Sequence, residues 1–422
     1  MSPLHDLERW SPEYDLRFVA ETPVCGHCHH YNLFIDKTVN DALGLAAGTK
    51  LRTEAAREFF WALLNRATVD LHIDEPAARL SLAEDLFRTW GHGRLELGRL
   101  TPQGGVALGR TLHYSTSWRE KFGDQPRYSP ADALAAGFAE AAMAVAFGLP
   151  PHTIEATETL CQAMGHESCE FRLRRVEGAA ALRPPLSQQA TLDVLPASFG
   201  GRSEDEVQRL TEGLRDFLAS VKGDERGLIE AFGVFVTFSP VNIYNRLSYE
   251  MLETLSQRHE SFARVSAGLL REAGRMCGFN TFGGIIGSPE WEALTGTSER
   301  DALTVALHAC TIARGLGFGR WSVADFEPGR LLVLQAPTTY EGPYYKLRHG
   351  QGSTPSCYLF EGACEAIAQL GHAVDWSSTP AFTPAFYDEM SNDPDNQWQA
   401  EQTHCVSCGD DHCEVIVTRQ IR

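Results

Sequence analysis

The sequence contains no Lys/Arg-rich run, no apolar stretch of transmembrane length, no Walker-A glycine loop and no basic recognition helix. With 55 acidic against 37 basic residues the formal net charge is −18, so the positive field that binds a phosphate backbone is missing and nucleic acid is not expected as a direct partner. The lack of long apolar runs argues against a membrane partner. The opening segment Met1-Ser-Pro-Leu-His-Asp-Leu-Glu-Arg-Trp-Ser-Pro has neither the basic nor the apolar stretch of a secretory signal, which points to a cytoplasmic protein. In that compartment the 11 cysteines are more naturally thiols or metal ligands than disulfides. No Ser-His-Asp order, pair of glycosidase carboxylates or nucleotide-binding fingerprint can be argued, so no reaction class follows from a catalytic signature.

What the sequence does contain is a signature written twice. Cys161-Gln-Ala-Met-Gly165-His-Glu-Ser-Cys169-Glu170 and Cys405-Val-Ser-Cys408-Gly409-Asp-Asp-His-Cys413-Glu414 each set two thiols around a glycine and run into an alternating, strand-like segment. Other landmarks recur in the same order. Trp90-Gly-His-Gly-Arg94 matches Leu316-Gly-Phe-Gly-Arg320, each after an amphipathic helix (Leu82 to Trp90; Ala302 to Leu316) and before a strand. Ser129-Pro-Ala-Asp132 with Gly137 matches Thr354-Pro-Ser-Cys357 with Gly362, each opening a small-residue helix that is expected to end at Gly148 or Gly371. The Pro/Gly-rich connectors after Val176 and at Pro196 mark the boundary, and Ser203-Glu-Asp-Glu206 reads as a capping box for a helix from Val207 to Val221. Helices around a small, mainly antiparallel sheet make an α+β domain, here a tandem duplication. The expected division is 1–176, a linker and connecting helix over 177–225, and 226–422.

The last third of each half resembles the 4-vinyl-reductase domain family. The resemblance rests on an acid or Cys five residues before a helix glycine, a downstream Glu, and Cys-Gln-Ala-Met-Gly-x-x-x-Cys-Glu-Phe. That family includes hydrocarbon-binding proteins, a bacteriochlorophyll-biosynthesis protein and the sensor domains of phenol- and xylene-responsive regulators. The resemblance implies a buried ligand pocket beside a structural zinc held by three Cys and one Glu. By motif position the first half offers Glu158, Cys161 and Cys169, with Asp132 where the first Cys would stand. The second offers Cys357, Cys405 and Cys413, with Gln402 at the Glu position and Glu401, His404 or Cys408 as alternative fourth ligands. An Asp oxygen is an acceptable zinc ligand, and four ligands from two segments would tie the glycine helix to the last strand. The plain alternative is buried free cysteines packing as small hydrophobes.

One cluster has no counterpart. Cys25-Gly-His27-Cys28-His29-His30-Tyr31-Asn32 aligns with Phe238-Ser-Pro-Val-Asn-Ile-Tyr244-Asn245, which keeps Tyr-Asn but none of the thiols or imidazoles. Soft thiolate with borderline imidazole suits zinc, iron or copper. Cys-x-x-Cys-His is also the covalent haem pattern, although attachment normally needs export, and thioredoxin-like chemistry would want a βαβ context. A metal site completed from elsewhere stands beside a polar loop with incidental thiols. His72, Asp74, His92 and His113, with His113-Tyr114 read as strand, are further first-half groups that could join it. Trp61, Trp90, His92, His113, Tyr114 and Trp118 are the residues expected to line an apolar pocket.

These readings converge on a cytoplasmic binding protein for a hydrophobic or aromatic small molecule, acting as sensor, carrier or metabolic accessory, with zinc as the expected metal and a homodimer as an expected assembly. The alternative is a metalloenzyme with catalytic iron, copper or haem at Cys25, His27, Cys28, His29 and His30.

Overall fold

The computed structural model describes residues 3–123, 125–177, 183–196, 205–296, 300–378 and 382–420. Three antiparallel sheets organise it, each flanked by helices, and the α+β class expected from the sequence is what is found. Two of the sheets have the same strand order. In the first half Gly93–Glu96, Gly104–Leu112, Cys169–Arg175 and Ile154–Leu160 lie side by side, and in the second half Ser322–Glu327, Leu331–Ala336, Cys413–Arg419 and Trp398–His404 do the same. The helices leading to these sheets also recur in order, with His29–Leu43 and Leu45–Asp70 answered by Val241–Arg258 and Glu260–Cys277.

The third sheet belongs to both halves. Its order is Glu8–Ser11, Leu16–Val19, Thr22–Cys28, Val234–Pro240, Ile229–Ala231. Cys25 faces Ser239 and Gly26 faces Phe238, so the two segments aligned in the sequence are hydrogen-bonded directly to one another. Both central strands are buried along their whole length. The ion pairs Arg246–Glu58 (2.7 Å) and Arg348–Glu58 (3.2 Å) join the halves again in low-exposure settings, and Arg215–Asp15 (2.6 Å) ties the connecting segment to the first half. Among the described residues no helix is long and apolar enough to cross a membrane.

Helix Ala133–Phe147 stops at Gly148, whose left-handed φ of 62° favours glycine, as the sequence predicts. Helix Tyr358–Ala373 instead runs through Gly371, because there the missing side chain serves packing: a Cβ at Gly371 would lie 3.2 Å from Ala302. Helix Ala302–Leu316 has the expected bounds, capped by the Asp301 carboxylate on Thr304 N (2.8 Å) and ended by Gly317. His113 and Tyr114 open helix His113–Phe122 rather than extending the strand before it, and no side-chain cap announces that start. The connecting helix is Asp205–Ser220, docked with Leu214 against Gly315; the Ser203 cap falls outside the described residues.

Candidate functional site

Each terminal hairpin brings its two thiols together by the same local route. A strand ends at Cys161 or Cys405, a single 3-10 turn follows, and Gly165 (φ 94°) or Gly409 (φ 98°) reverses the chain in the left-handed region before the strand that starts at Cys169 or Cys413. The third ligand comes from the residue preceding the small-residue helix, Asp132 or Cys357. That helix is pressed against a long neighbour through glycine: a Cβ at Gly137 would run into the Thr53 carbonyl, and one at Gly362 into that of Arg271.

In the first half Asp132, Glu158, Cys161 and Cys169 offer ligand atoms that all lie within 4.8 Å of one another. Asp132 Oδ2 is 3.5 Å from Cys169 Sγ and 3.9 Å from Cys161 Sγ, and Glu158 Oε2 accepts the Asp132 backbone N–H at 2.9 Å. Glu158 Oε1 is buried with no partner among the described residues. Burial, then repulsion among the acids, pushes the Asp132 and Glu158 carboxyls up, while the Cys169 hydrogen bond draws the Cys161 thiol down. Four acids sharing protons in the interior is a charge distribution that a dication relieves, and two oxygens with two sulfurs form a donor set zinc accepts. Ser115, which the sequence does not single out, stands among them with its Oγ on Asp132 and 3.4 and 3.5 Å from the two thiols.

The second half gathers Cys357, Cys405 and Cys413, all fully buried. Cys357 Sγ lies 3.6 Å from Cys405 Sγ and 4.0 Å from Cys413 Sγ. With zinc–sulfur bonds of about 2.3 Å, tetrahedral geometry asks for edges of roughly 3.8 Å, so the spacing fits. Hydrogen bonds from Cys357 and Cys413 draw the Cys405 thiol well below its ordinary range. None of the three alternative fourth ligands joins the cluster. Gln402 takes the position of Glu158, its Oε1 accepting Cys357 N–H at 3.2 Å and its Nε2 buried without a partner among the described residues. Glu401 is exposed on its strand, Cys408 sits half-buried in the turn, and His404 faces outward, 3.2 Å from Glu414.

Cys25, His27, Cys28 and His29 are buried and His30 is half-buried. Among the described residues three groups of His, Cys, Asp and Glu bring ligand atoms within 4.8 Å, and none includes a member of this cluster. Only Cys25, His27 and Cys28 belong to strand Thr22–Cys28, where Cys28 points to the face opposite Cys25 and His27, and His29 and His30 already belong to the helix that follows. His27 is boxed by rings, stacked on Tyr31 (4.0 Å between centroids) and edged by Tyr244 (4.6 Å) and Phe318 (4.8 Å), and Tyr340 Oη lies 3.3 Å from its Nε2. Burial holds His27 far below its ordinary pKa and pushes the thiols of Cys25 and Cys28 up, so these groups are neutral. His72 and Asp74 sit beyond the end of helix Leu45–Asp70, with Asp74 near Arg79 at the surface, and do not join it.

The six residues expected to line a pocket divide. Trp90, His92, His113 and Tyr114 are buried, whereas Trp61 is half-buried and Trp118 is clasped by the Arg127 guanidinium (4.6 Å). His92 packs among Phe60 and Phe87, with Phe138 next to both, and its Nε2 is 2.8 Å from the Phe238 carbonyl oxygen. His113 Nε2 receives Asn32 Nδ2 at 3.0 Å, in a chain that continues to Tyr244 Oη and Thr237 Oγ1 and that no sequence motif marks. The Nδ1 atoms of both His92 and His113 are buried with no partner among the described residues. Burial lowers His92 to about 4 and His113 further, keeping both rings neutral. At the corresponding turns of the second half stand Phe318 and Tyr340, as shown by the matching hydrogen bonds His113 N to His92 O and Tyr340 N to Phe318 O.

No family model matches the chain, and no curated protein sequence does. Solved structures do match, among them the phenol-responsive sensory domain of the transcription activator PoxR, in a crystal structure with phenol. That match has 18% identity and a TM-score of 0.35, covering 41% of this chain and 87% of that one. A likeness so distant carries no functional conclusion.

Proposed function

We propose that the chain is a binding protein for a small aromatic or hydrophobic molecule carrying one polar group, received in the first half beside His92 and His113, with a structural metal in each thiol cluster. The observation that carries this reading is the pair of neutral imidazoles whose Nδ1 atoms lie buried and unmatched among the described residues, His92 packed on Phe60 and Phe87 and His113 beside Tyr114. A buried nitrogen without a partner costs about 1–3 kcal/mol, which a ligand hydroxyl would recover. Aromatic walls with few polar groups are the usual composition of a small-molecule site. The second half keeps apolar or hydroxylated rings at the corresponding positions, so the polar handle belongs to the first alone. The two metals would act by fastening hairpin to helix, and Glu158 with its open Oε1 supports the fit of the first.

The test is a calorimetric titration of the full chain with phenol and with toluene, repeated on His92→Phe and His113→Phe. Phenol is expected to bind the parent and to lose at least about tenfold in affinity in each variant, with toluene weaker throughout. Equal affinity of parent and variants for phenol would remove the histidines from the site. Cys25 to His30 lie in the packed core, and among the described residues none of them belongs to a group whose ligand atoms converge.

A further inference from the structure

The outer face of the second hairpin differs from that of the first in a way the buried thiols do not explain. The two hairpins superpose residue for residue in register: Leu160 faces Glu170 as His404 faces Glu414, and both carry an irregularity one residue earlier. Both place a threonine on the glutamate, Thr159 on Glu170 (2.8 Å) and Thr403 on Glu414 (2.6 Å). Beyond that shared scaffold the faces part. Glu170 is paired with Arg172 at 2.9 Å, whereas the corresponding position after Glu414 is Ile416. Leu160 and Ser168 are replaced by His404 and His412.

The two imidazoles lie face to face, with centroids 4.7 Å apart. His404 Nδ1 is 3.2 Å from Glu414 Oε1, His412 Nε2 is 3.9 Å from Glu414 Oε2, and one ligand atom from each of the three residues lies within 4.8 Å of the others. Asp411 Oδ1 accepts from His412 Nδ1 at 2.5 Å. A carboxylate on one ring nitrogen fixes the tautomer and leaves the lone pair on the other, here the His412 Nε2 that faces Glu414, which is the support that metal-ligating histidines generally have. We propose that His404, His412 and Glu414 form a half-buried site for a divalent transition ion of zinc's class, open to solvent at His404, with Asp411 as its orienting partner and separate from the thiol cluster behind it. Strand alternation enforces the separation, because Cys405 and Cys413 point inward where His404 and Glu414 point outward. Drawing atoms that already lie within 4.8 Å of one another to the roughly 3.4 Å edges of a tetrahedral nitrogen and oxygen site falls to His404, whose side chain is 45% exposed. Three protein ligands leave a coordination position to water or an incoming donor, so this site would exchange its ion with solvent while the buried cluster would not.

The experiment is a titration of the full chain with Co2+, followed by absorption, beside His404→Leu/His412→Ser, which installs the first half's residues, and Asp411→Asn. Thiolate-to-cobalt charge transfer reports the cysteine clusters and is silent for a His2Glu site. The parent is expected to bind one equivalent more than the double variant, with no added charge-transfer intensity. Asp411→Asn is expected to weaken that equivalent by about tenfold while leaving the charge-transfer band intact. Equal cobalt stoichiometry in parent and double variant overturns the proposal, as does a final equivalent that brings new charge-transfer intensity.

Discussion

Position 158 closes the first thiol cluster with a carboxylate, and position 402 closes the second with a carboxamide that holds the same hydrogen bond to the residue ahead of the helix. The difference is one charge, and for a bound dication charge count weighs heavily. Gln402→Glu is expected to tighten zinc binding to the second cluster by about tenfold, equivalent to ~1.4 kcal/mol, in competition with a chelator; Glu158→Gln is expected to weaken the first by a similar factor. A Gln402→Glu protein that holds zinc no better than the parent would show that the fourth ligand is not drawn from this position. At this scale the sequence was informative where ligand spacing is fixed by a tight turn. Cys161, Cys169, Cys405 and Cys413 meet because the glycine turn between them leaves no alternative. It was misleading for His404, since one step along a strand exchanges inside for outside. Ser115 was invisible because only packing carries it into the first cluster.

Among the elements, glycine takes two roles that look the same in a sequence. Gly137 and Gly362 allow helices to touch backbone to backbone, and Gly148 supplies a left-handed turn. The first role tolerates no added carbon. Gly137→Ala and Gly362→Ala are each expected to cost about 2–3 kcal/mol in urea unfolding, against about 1–2 kcal/mol for Gly148→Ala, where nothing lies within 4 Å of the added Cβ and only backbone conformation is strained. If Gly137→Ala were milder than Gly148→Ala, the helix contact would have slack the geometry does not suggest. Helix Ala302–Leu316 was legible to the residue because its periodicity and its terminal glycine agree. The helix opening at His113 was not, because no capping side chain marks it and its start is set by His92, whose carbonyl takes the His113 N–H.

For the molecule as a whole, the buried histidines set an acid limit. Burial lowers His29, His92 and His308 to about 4 and His30 to about 3, with His27 and His113 also well down. A group whose folded pKa is depressed stabilises the fold fully above its unfolded value near 6.5 and loses that contribution as pH falls toward 4, on the order of 3 kcal/mol for a fully buried ring such as His92. Glu140, raised to about 7 chiefly by burial, and Glu341, raised to about 8 by the same cause, act in the opposite sense and give up stability as pH rises through those values. The urea midpoint is therefore expected to peak between about pH 6 and 7 and to fall steeply on the acid side. His92→Gln should flatten that limb, and a midpoint constant from pH 7 to 4 would contradict the buried, neutral rings. At this scale the sequence disclosed the recurrence of elements but not the sheet that joins the halves. Strands some two hundred residues apart pair through geometry that no local pattern announces.

That sheet has a thermodynamic consequence. Strands Thr22–Cys28 and Val234–Pro240 meet across a seam like that between two subunits, Cys25 against Ser239 and Gly26 against Phe238, yet one polypeptide supplies both sides. A true dimer melts earlier when diluted, because mass action pulls its subunits apart. Here the partner is tethered, and closing the seam is a first-order event. The unfolding midpoint should stay constant across a hundredfold dilution, and the first half expressed alone, left with an open strand edge, should pair with a second copy of itself and regain that sensitivity to concentration.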